Sequence, residues 1–218
     1  MRIKSVFVAF MLCLGISMYG QERCGDSRVL VSVDFGKGVL FGKSNLSPLG
    51  VDYRGEYKSG YSINAKALYL LDKHWGVGLK YNYFGASQDY LLADNAKYAD
   101  DIEMYYVAPQ LEIRCPFKDA FVLACTVGAG YMHYQNKGLG AKEVKYTASS
   151  FGTNMDLKLE YKILKKLSLI GGASCLTGNN FKKLKMASED ETVTIEPDSR
   201  NRIRLFRMDY VLGVVAHF

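Results

Sequence analysis

Several things are missing from this 218-residue chain, and each absence closes off a class of protein. No stretch beyond residue 20 holds the ~18 consecutive apolar residues that a membrane helix needs. A helical membrane anchor in the body of the chain is therefore excluded. The period of 3.6 that marks amphipathic helices is scarce throughout. Cysteine is limited to five residues, and no CxxC pair or His/Cys cluster has the spacing of a zinc site. Basic residues are scattered: 28 Lys and Arg against 22 Asp and Glu give a formal charge of +6 with no stripe of one sign. That pattern excludes a nucleic-acid interface, which clusters its lysines and arginines on one face.

What is present begins with an export signal. Arg2 and Lys4 precede an uncharged apolar run from Val6 to Met18, and Ser17, Gly20 and Gln21 suit cleavage after Gly20. Residues 1–20 are read as a signal peptide, 21–27 as an N-terminal lead, and 28–218 as a single domain. Removing Arg2 and Lys4 leaves a mild charge of +4.

The domain reads as a series of strands with side chains alternating at period two. Val29 to Phe35, Tyr57 to Leu71, Trp75 to Phe84, Tyr105 to Arg114, Phe121 to Tyr131, Phe151 to Tyr161, Leu167 to Leu176 and Met208 to Phe218 make eight. The seventh is blurred by Gly171, Gly172 and Ala173. Connections alternate strictly between short ones (Asp72–His74, Cys115–Asp119, Lys162–Lys166) and long polar ones (Gly42–Glu56, Gly85–Asp101, Gln135–Ala148, Thr177–Asn201).

A soluble lipocalin-like barrel would turn the apolar face inward. A membrane barrel inverts this. The polar face of these strands carries Lys66, Lys80, Asp156 and other charges among many glycines and alanines, which suits a narrow filled lumen better than a solvated exterior. Aromatic residues gather at both ends of the apolar faces. Tyr69, Trp75, Phe121, Tyr161 and Phe218 lie near the short turns; Tyr83, Tyr105, Tyr131, Phe151 and Phe206 lie near the long loops. These are the two girdles expected at lipid headgroups. The fold expected is all-β: an eight-stranded antiparallel up-and-down transmembrane β-barrel.

On this pattern the chain resembles the OmpA/OmpX-type family of small outer-membrane barrels. The resemblance spans residues 27–218 and rests on the alternation and on the terminal series Tyr210, Leu212, Val214, Ala216 and Phe218. It implies that this series is the signal read by the barrel-assembly machinery. It implies localisation in the outer membrane of a Gram-negative-type cell, contact with outer-membrane lipid and lipopolysaccharide, and neither a cofactor nor a metal. With Phe218 as the last residue, no periplasmic domain is expected to follow.

Candidate chemistry is sparse. Cys125 and Cys175 fall on alternate strands, ~9–10 Å apart and too far to bridge. Cys24 and Cys115 both lie near the short-turn rim, where a bridge is open to them. His74 sits in a turn, His217 faces the lumen near the rim, and His133 is at the outer end of a strand. A lipid-A deacylase barrel would want a serine two residues from such a histidine; Gln135 stands there instead, and Ser149 and Ser150 begin the next strand. No catalytic residue is assigned. Glu112, Arg114, Lys158, Glu160, Arg207 and Asp209 are read as an ion-pair network plugging the lumen, because an eight-stranded barrel is filled by its own side chains. In the last long segment Lys182, Lys183 and Lys185 precede Glu189, Asp190, Glu191, Glu196 and Asp198, a balanced solvated loop in which 191–196 alternates enough to suggest a hairpin above the membrane.

The reading that follows is a non-enzymatic, structural or surface-interaction barrel. Its loops would meet an extracellular protein or glycan in adhesion or host contact. The alternatives are a narrow channel for ions or small solutes and a lipid-A-modifying enzyme built on His133.

Overall fold

A computed structural model describes residues 28–41, 59–91, 97–117, 120–139, 143–178, 184–187, 192–195 and 205–218. The signal peptide, the lead with Cys24, and the charged residues of the last loop other than Lys185 lie outside the described residues.

Ten strands follow one another in the described chain: β1 (Val29–Leu40), β2 (Ser59–Leu70), β3 (Trp75–Leu91), β4 (Lys97–Phe117), β5 (Phe121–Leu139), β6 (Glu143–Leu164), β7 (Leu167–Gly178), β8 (Leu184–Ala187), β9 (Thr192–Ile195) and β10 (Leu205–His217). Neighbours in the series β1 to β7 pair antiparallel, and β10 pairs with both β7 and β1. Those eight strands close into a barrel, which removes the sheet edges that a lipid environment cannot satisfy. The closing seam runs from Leu40↔Arg207 to Leu30↔His217, and continues with backbone bonds from Phe218 N to Val29 O (2.8 Å) and from Val29 N to Phe218 O (3.1 Å).

Small side chains let so narrow a barrel close. A Cβ on Gly213 would lie 2.5 Å from Asp34 Cα across the seam, and one on Gly128 would lie 2.6 Å from Asn154 Oδ1 inside the lumen. Gly213 therefore needs glycine for close approach to the neighbouring backbone, while a side chain at Gly128 would displace the packed amides of Gln110 and Asn154. The seventh strand, indistinct in sequence, is regular: Ser168, Ile170, Ser174 and Leu176 are buried inward while Leu169 faces out.

The connections differ from the sequence reading in one respect. Residues 85–101 and 135–148, read as long loops, are mostly strand. The ladder between β3 and β4 continues to Leu91↔Lys97, and that between β5 and β6 to Leu139↔Glu143. β4 and β6 reach 21 and 22 residues, against 12 for β1, β2 and β7. The excess is roughly 30 Å of strand at ~3.3 Å per residue. The physical reason they read as loops is that the polarity of the two faces inverts. In the body of the barrel the outward face is apolar, and the inward face carries the buried charges. Beyond Tyr105 on β4 and Tyr131 on β5 the inward residues become apolar (Ile102, Met104, Met132, Tyr134) and the outward ones polar (Asp101, Glu103, Gln135, Lys137). An extension standing in water needs its own core, so it follows the ordinary rule of soluble sheets.

The last long connection holds the hairpin β8–β9. It docks on the outer part of β6 through Lys145↔Ala187 and Thr147↔Lys185, beyond the point where β7 leaves that edge at Gly152↔Gly178.

Candidate functional site

The lumen is filled in three layers. At the short-turn end Leu30, Leu68, Ile170 and Val215 form an apolar layer. At the long-loop end Phe84, Met104, Tyr106, Met132 and Leu176 head a larger apolar cluster that runs up into the extension. Between them lies a polar layer containing five cations (Lys66, Lys80, Arg114, Lys158, Arg207) and five anions (Asp34, Glu112, Asp156, Glu160, Asp209). Glu112, Asp156 and Asp209 each have a relative exposure of 0%. A charge so far from water must find an opposite charge and further hydrogen bonds.

Each anion does. Arg114 on β4 bridges Glu112 on its own strand, at 2.7 Å, and Glu160 on β6. Glu112 also takes the Lys66 ammonium from β2 and the Thr126 hydroxyl at 2.9 Å. Glu160 Oε1 is 3.0 Å from His217 Nε2, which also meets Ser168 Oγ at 2.8 Å. Lys158 on β6 crosses the lumen to Asp34 on β1 at 2.5 Å. From Asp34 a relay of amides leads along β2 and β3: Asn64 donates to Asp34 (2.7 Å), Asn82 to Asn64 (2.8 Å), and Arg207 to Asn82 (2.5 Å). Arg207 binds Asp209 through Nε at 2.7 Å and Nη2 at 2.8 Å, and its guanidinium stands 4.4 Å from the Phe84 ring centroid, at the border with the apolar cluster. Lys80 donates to both oxygens of Asp156 at 2.8 Å and to Ser174 at 2.9 Å.

The six residues singled out in the sequence thus all point inward, yet they are not a closed set. Glu112, Arg114 and Glu160 form one group, and Arg207 and Asp209 another. Lys158 is paired outside the six, with Asp34. Asp34, Lys66, Lys80 and Asp156, and the linking amides Asn64 and Asn82, complete the layer. Their inward position was readable from alternation; their partners depend on register between strands far apart in sequence. The two apolar layers were not anticipated, because the same inward face carries both kinds of residue. Tyr210, Leu212 and Val214 of the terminal series are exposed on the outward face of β10, Leu212 at 74%, while Ala216 and Phe218 are half-buried at the seam.

A second cluster lies outside the barrel, where the outward face turns from apolar to polar. His133 on β5 stands directly opposite Tyr105 on β4 and Ser149 on β6. Its Nδ1 is 2.9 Å from Ser149 Oγ, and Tyr131 Oη is 2.7 Å from the same oxygen. The Tyr131 ring stacks on the imidazole at 6.5 Å between centroids, and Tyr105 lies at 6.4 Å on the other side. Next to it Glu103 accepts from Tyr105 (3.1 Å) and Gln135 (3.2 Å). Cys115 is exposed at the turn end of β4, and Cys125 and Cys175 are half-buried on the outward face. Among the described residues no group of three or more His, Cys, Asp or Glu is placed to hold a metal ion.

Comparison with known proteins agrees with this geometry. Residues 12–199 match the profile described as outer membrane protein beta-barrel domain. The fold is similar to that of a major outer membrane protein from Thermus thermophilus, with a TM-score of 0.61 at 14% identity over 87% of this chain and 99% of that one. It is similar to OprG from Pseudomonas aeruginosa, with a TM-score of 0.54 at 15% identity over 88% and 97%. It is also similar to the outer membrane protease OmpT from Escherichia coli, with a TM-score of 0.52 at 7% identity over 90% and 99%. No curated protein matches the sequence. At these identities the likeness is one of fold, and the fold is shared by a protease, so it does not decide for or against catalysis.

Proposed function

Since the chain belongs to the outer membrane protein beta-barrel domain family, and is an outer-membrane barrel of the small eight-stranded type, we propose that it works as a plugged membrane anchor carrying a surface extension for contact outside the cell. The observation that carries this reading is the sealed lumen. Five cations and five anions are paired across the middle, with apolar layers on both sides. A hydrated path would have to part several buried ion pairs at once and then cross an apolar layer, in a lumen narrow enough to be filled by its own side chains.

The outward extension supports the second half of the reading. Parts of four strands and the β8–β9 hairpin stand beyond the aromatic girdle, and the described residues of β4, β5 and β6 there turn apolar side chains inward. A stiff platform lowers the ordering cost of binding. Its ligand class in this reading is an extracellular protein or glycan, and the terminal series ending at Phe218 is the assembly signal.

The test is conductance of the refolded protein in planar bilayers, combined with binding of cells that express it. No stable openings are expected, and trimming residues 87–100 and 136–147 should abolish surface binding without unfolding the barrel. Stable openings would favour the narrow channel instead.

A further inference from the structure

We propose that Ser149 and His133 form an ester-cleaving pair on the outer face of the barrel, acting on ester-linked acyl chains of outer-leaflet lipids. This goes beyond the plugged-anchor reading and does not depend on it.

Three observations carry the proposal. First, the serine hydroxyl lies within hydrogen-bond reach of the imidazole. Ser149 Oγ is 2.9 Å from His133 Nδ1, which accepts its proton in the tautomer that carries hydrogen on Nε2, and Tyr131 Oη is 2.7 Å from the same oxygen. A hydroxyl with a general base within reach of its proton is the arrangement of an activated nucleophile. Second, the base is held in place: Tyr131 and Tyr105 flank the imidazole from two sides. Third, the depth is right. On β5 the outward series runs Val127, Ala129, Tyr131 and then His133; on β6 Phe151 gives way to Ser149. Acyl ester bonds lie at this same boundary between hydrocarbon and headgroup. Ser149 is exposed there, on the outward face one step beyond the aromatic girdle.

The step balances without any other reactant than water. Ser149 Oγ bonds to the ester carbonyl carbon while its proton passes to His133 Nδ1. The tetrahedral adduct collapses by breaking the bond to the alcohol oxygen, which takes that proton and leaves. Water then attacks the acyl-serine, giving its proton to His133, and the fatty acid departs as the serine recovers its hydrogen.

The experiment uses the full chain refolded into two kinds of vesicle, one of glycerophospholipid and one containing lipopolysaccharide, with released fatty acid read by mass spectrometry. A fluorophosphonate probe reads the nucleophile directly. The expected result is acyl release and one label per chain, at Ser149. Ser149→Ala and His133→Gln should each lower release at least ~100-fold, the usual contribution of a nucleophile or a general base. Both variants should keep the heat-sensitive gel migration of a folded barrel. Release from phospholipid alone assigns a glycerol ester as substrate, and release from lipopolysaccharide alone assigns an ester-linked chain of the lipopolysaccharide. A folded wild type that frees no fatty acid from either vesicle, or a Ser149→Ala protein that still does, overturns the proposal.

Discussion

Asp34 and Lys158 illustrate what a single residue decides here. They meet at 2.5 Å between the first and the sixth strand, both buried. Removing one leaves the other charged and unpaired in a dry interior, so Asp34→Ala should cost about 3–5 kcal/mol. Replacing both, as Asp34→Leu with Lys158→Met, removes the desolvation penalty together with the attraction, and should recover most of that loss. Urea titrations followed by the gel-mobility shift of the folded barrel measure both variants; a double variant as unstable as Asp34→Ala would contradict the pairing.

Asp72 acts outside the membrane, in the turn between β2 and β3. It accepts the backbone N–H groups of His74 at 2.6 Å and Trp75 at 2.7 Å, and these bonds hold its carboxyl below the ordinary aspartate value. A lowered value in the folded state means the contribution is complete above ~4, the unfolded value, and is lost as the pH falls through the folded one. Asp72→Asn should flatten the acid limb of the stability curve, which pH-dependent unfolding would register.

At the scale of elements, the change of polarity along β4 and β5 is the feature the sequence concealed. Alternation continues from Tyr105 back to Asp101 on β4 and from Tyr131 to Gln135 on β5, but its apolar phase passes from the outward to the inward side. A search for strands with apolar outer faces loses the signal at that point. The same change yields a prediction. Met132→Asp, inside the extension, should cost several times more stability than Glu103→Ala on its outer face, because only the first places an unpaired charge in a core. Hydrogen exchange of the β4–β5 amides would report the difference, with local opening confined to the extension for the first variant. Gly213 belongs to this scale too. A Cβ there meets the backbone of β1, so Gly213→Val should slow closure of the seam and lower the yield of refolded barrel. An unchanged yield would mean the seam can spread to admit the side chain.

For the whole molecule, closure and plugging are properties that no strand has alone. The barrel exists because β10 pairs with β1, and the plug exists because partners on five or more strands arrive at one height in the lumen. Loss of Phe218 should therefore show itself mainly in cells. Phe218→Ala keeps its backbone bonds to Val29, so refolding in detergent should be nearly unaffected while insertion into the outer membrane falls. Comparing detergent refolding with membrane fractionation separates the two. Equal losses in both would point to a purely structural role for the ring.

The sequence by itself determined the strands of the barrel body, the direction each side chain faces, the aromatic girdles and the membrane address. All of these follow from a period of two and from composition, which are local. It named charges of the lumen face without reaching Asp34 as the partner of Lys158, and it left the distance between His133 and Ser149 open. Only the tertiary structure decided those points. Partners such as Asp34 and Lys158, 124 residues apart, are chosen by barrel closure and strand register. A shift of one residue in any ladder would send every side chain of that strand to the other face.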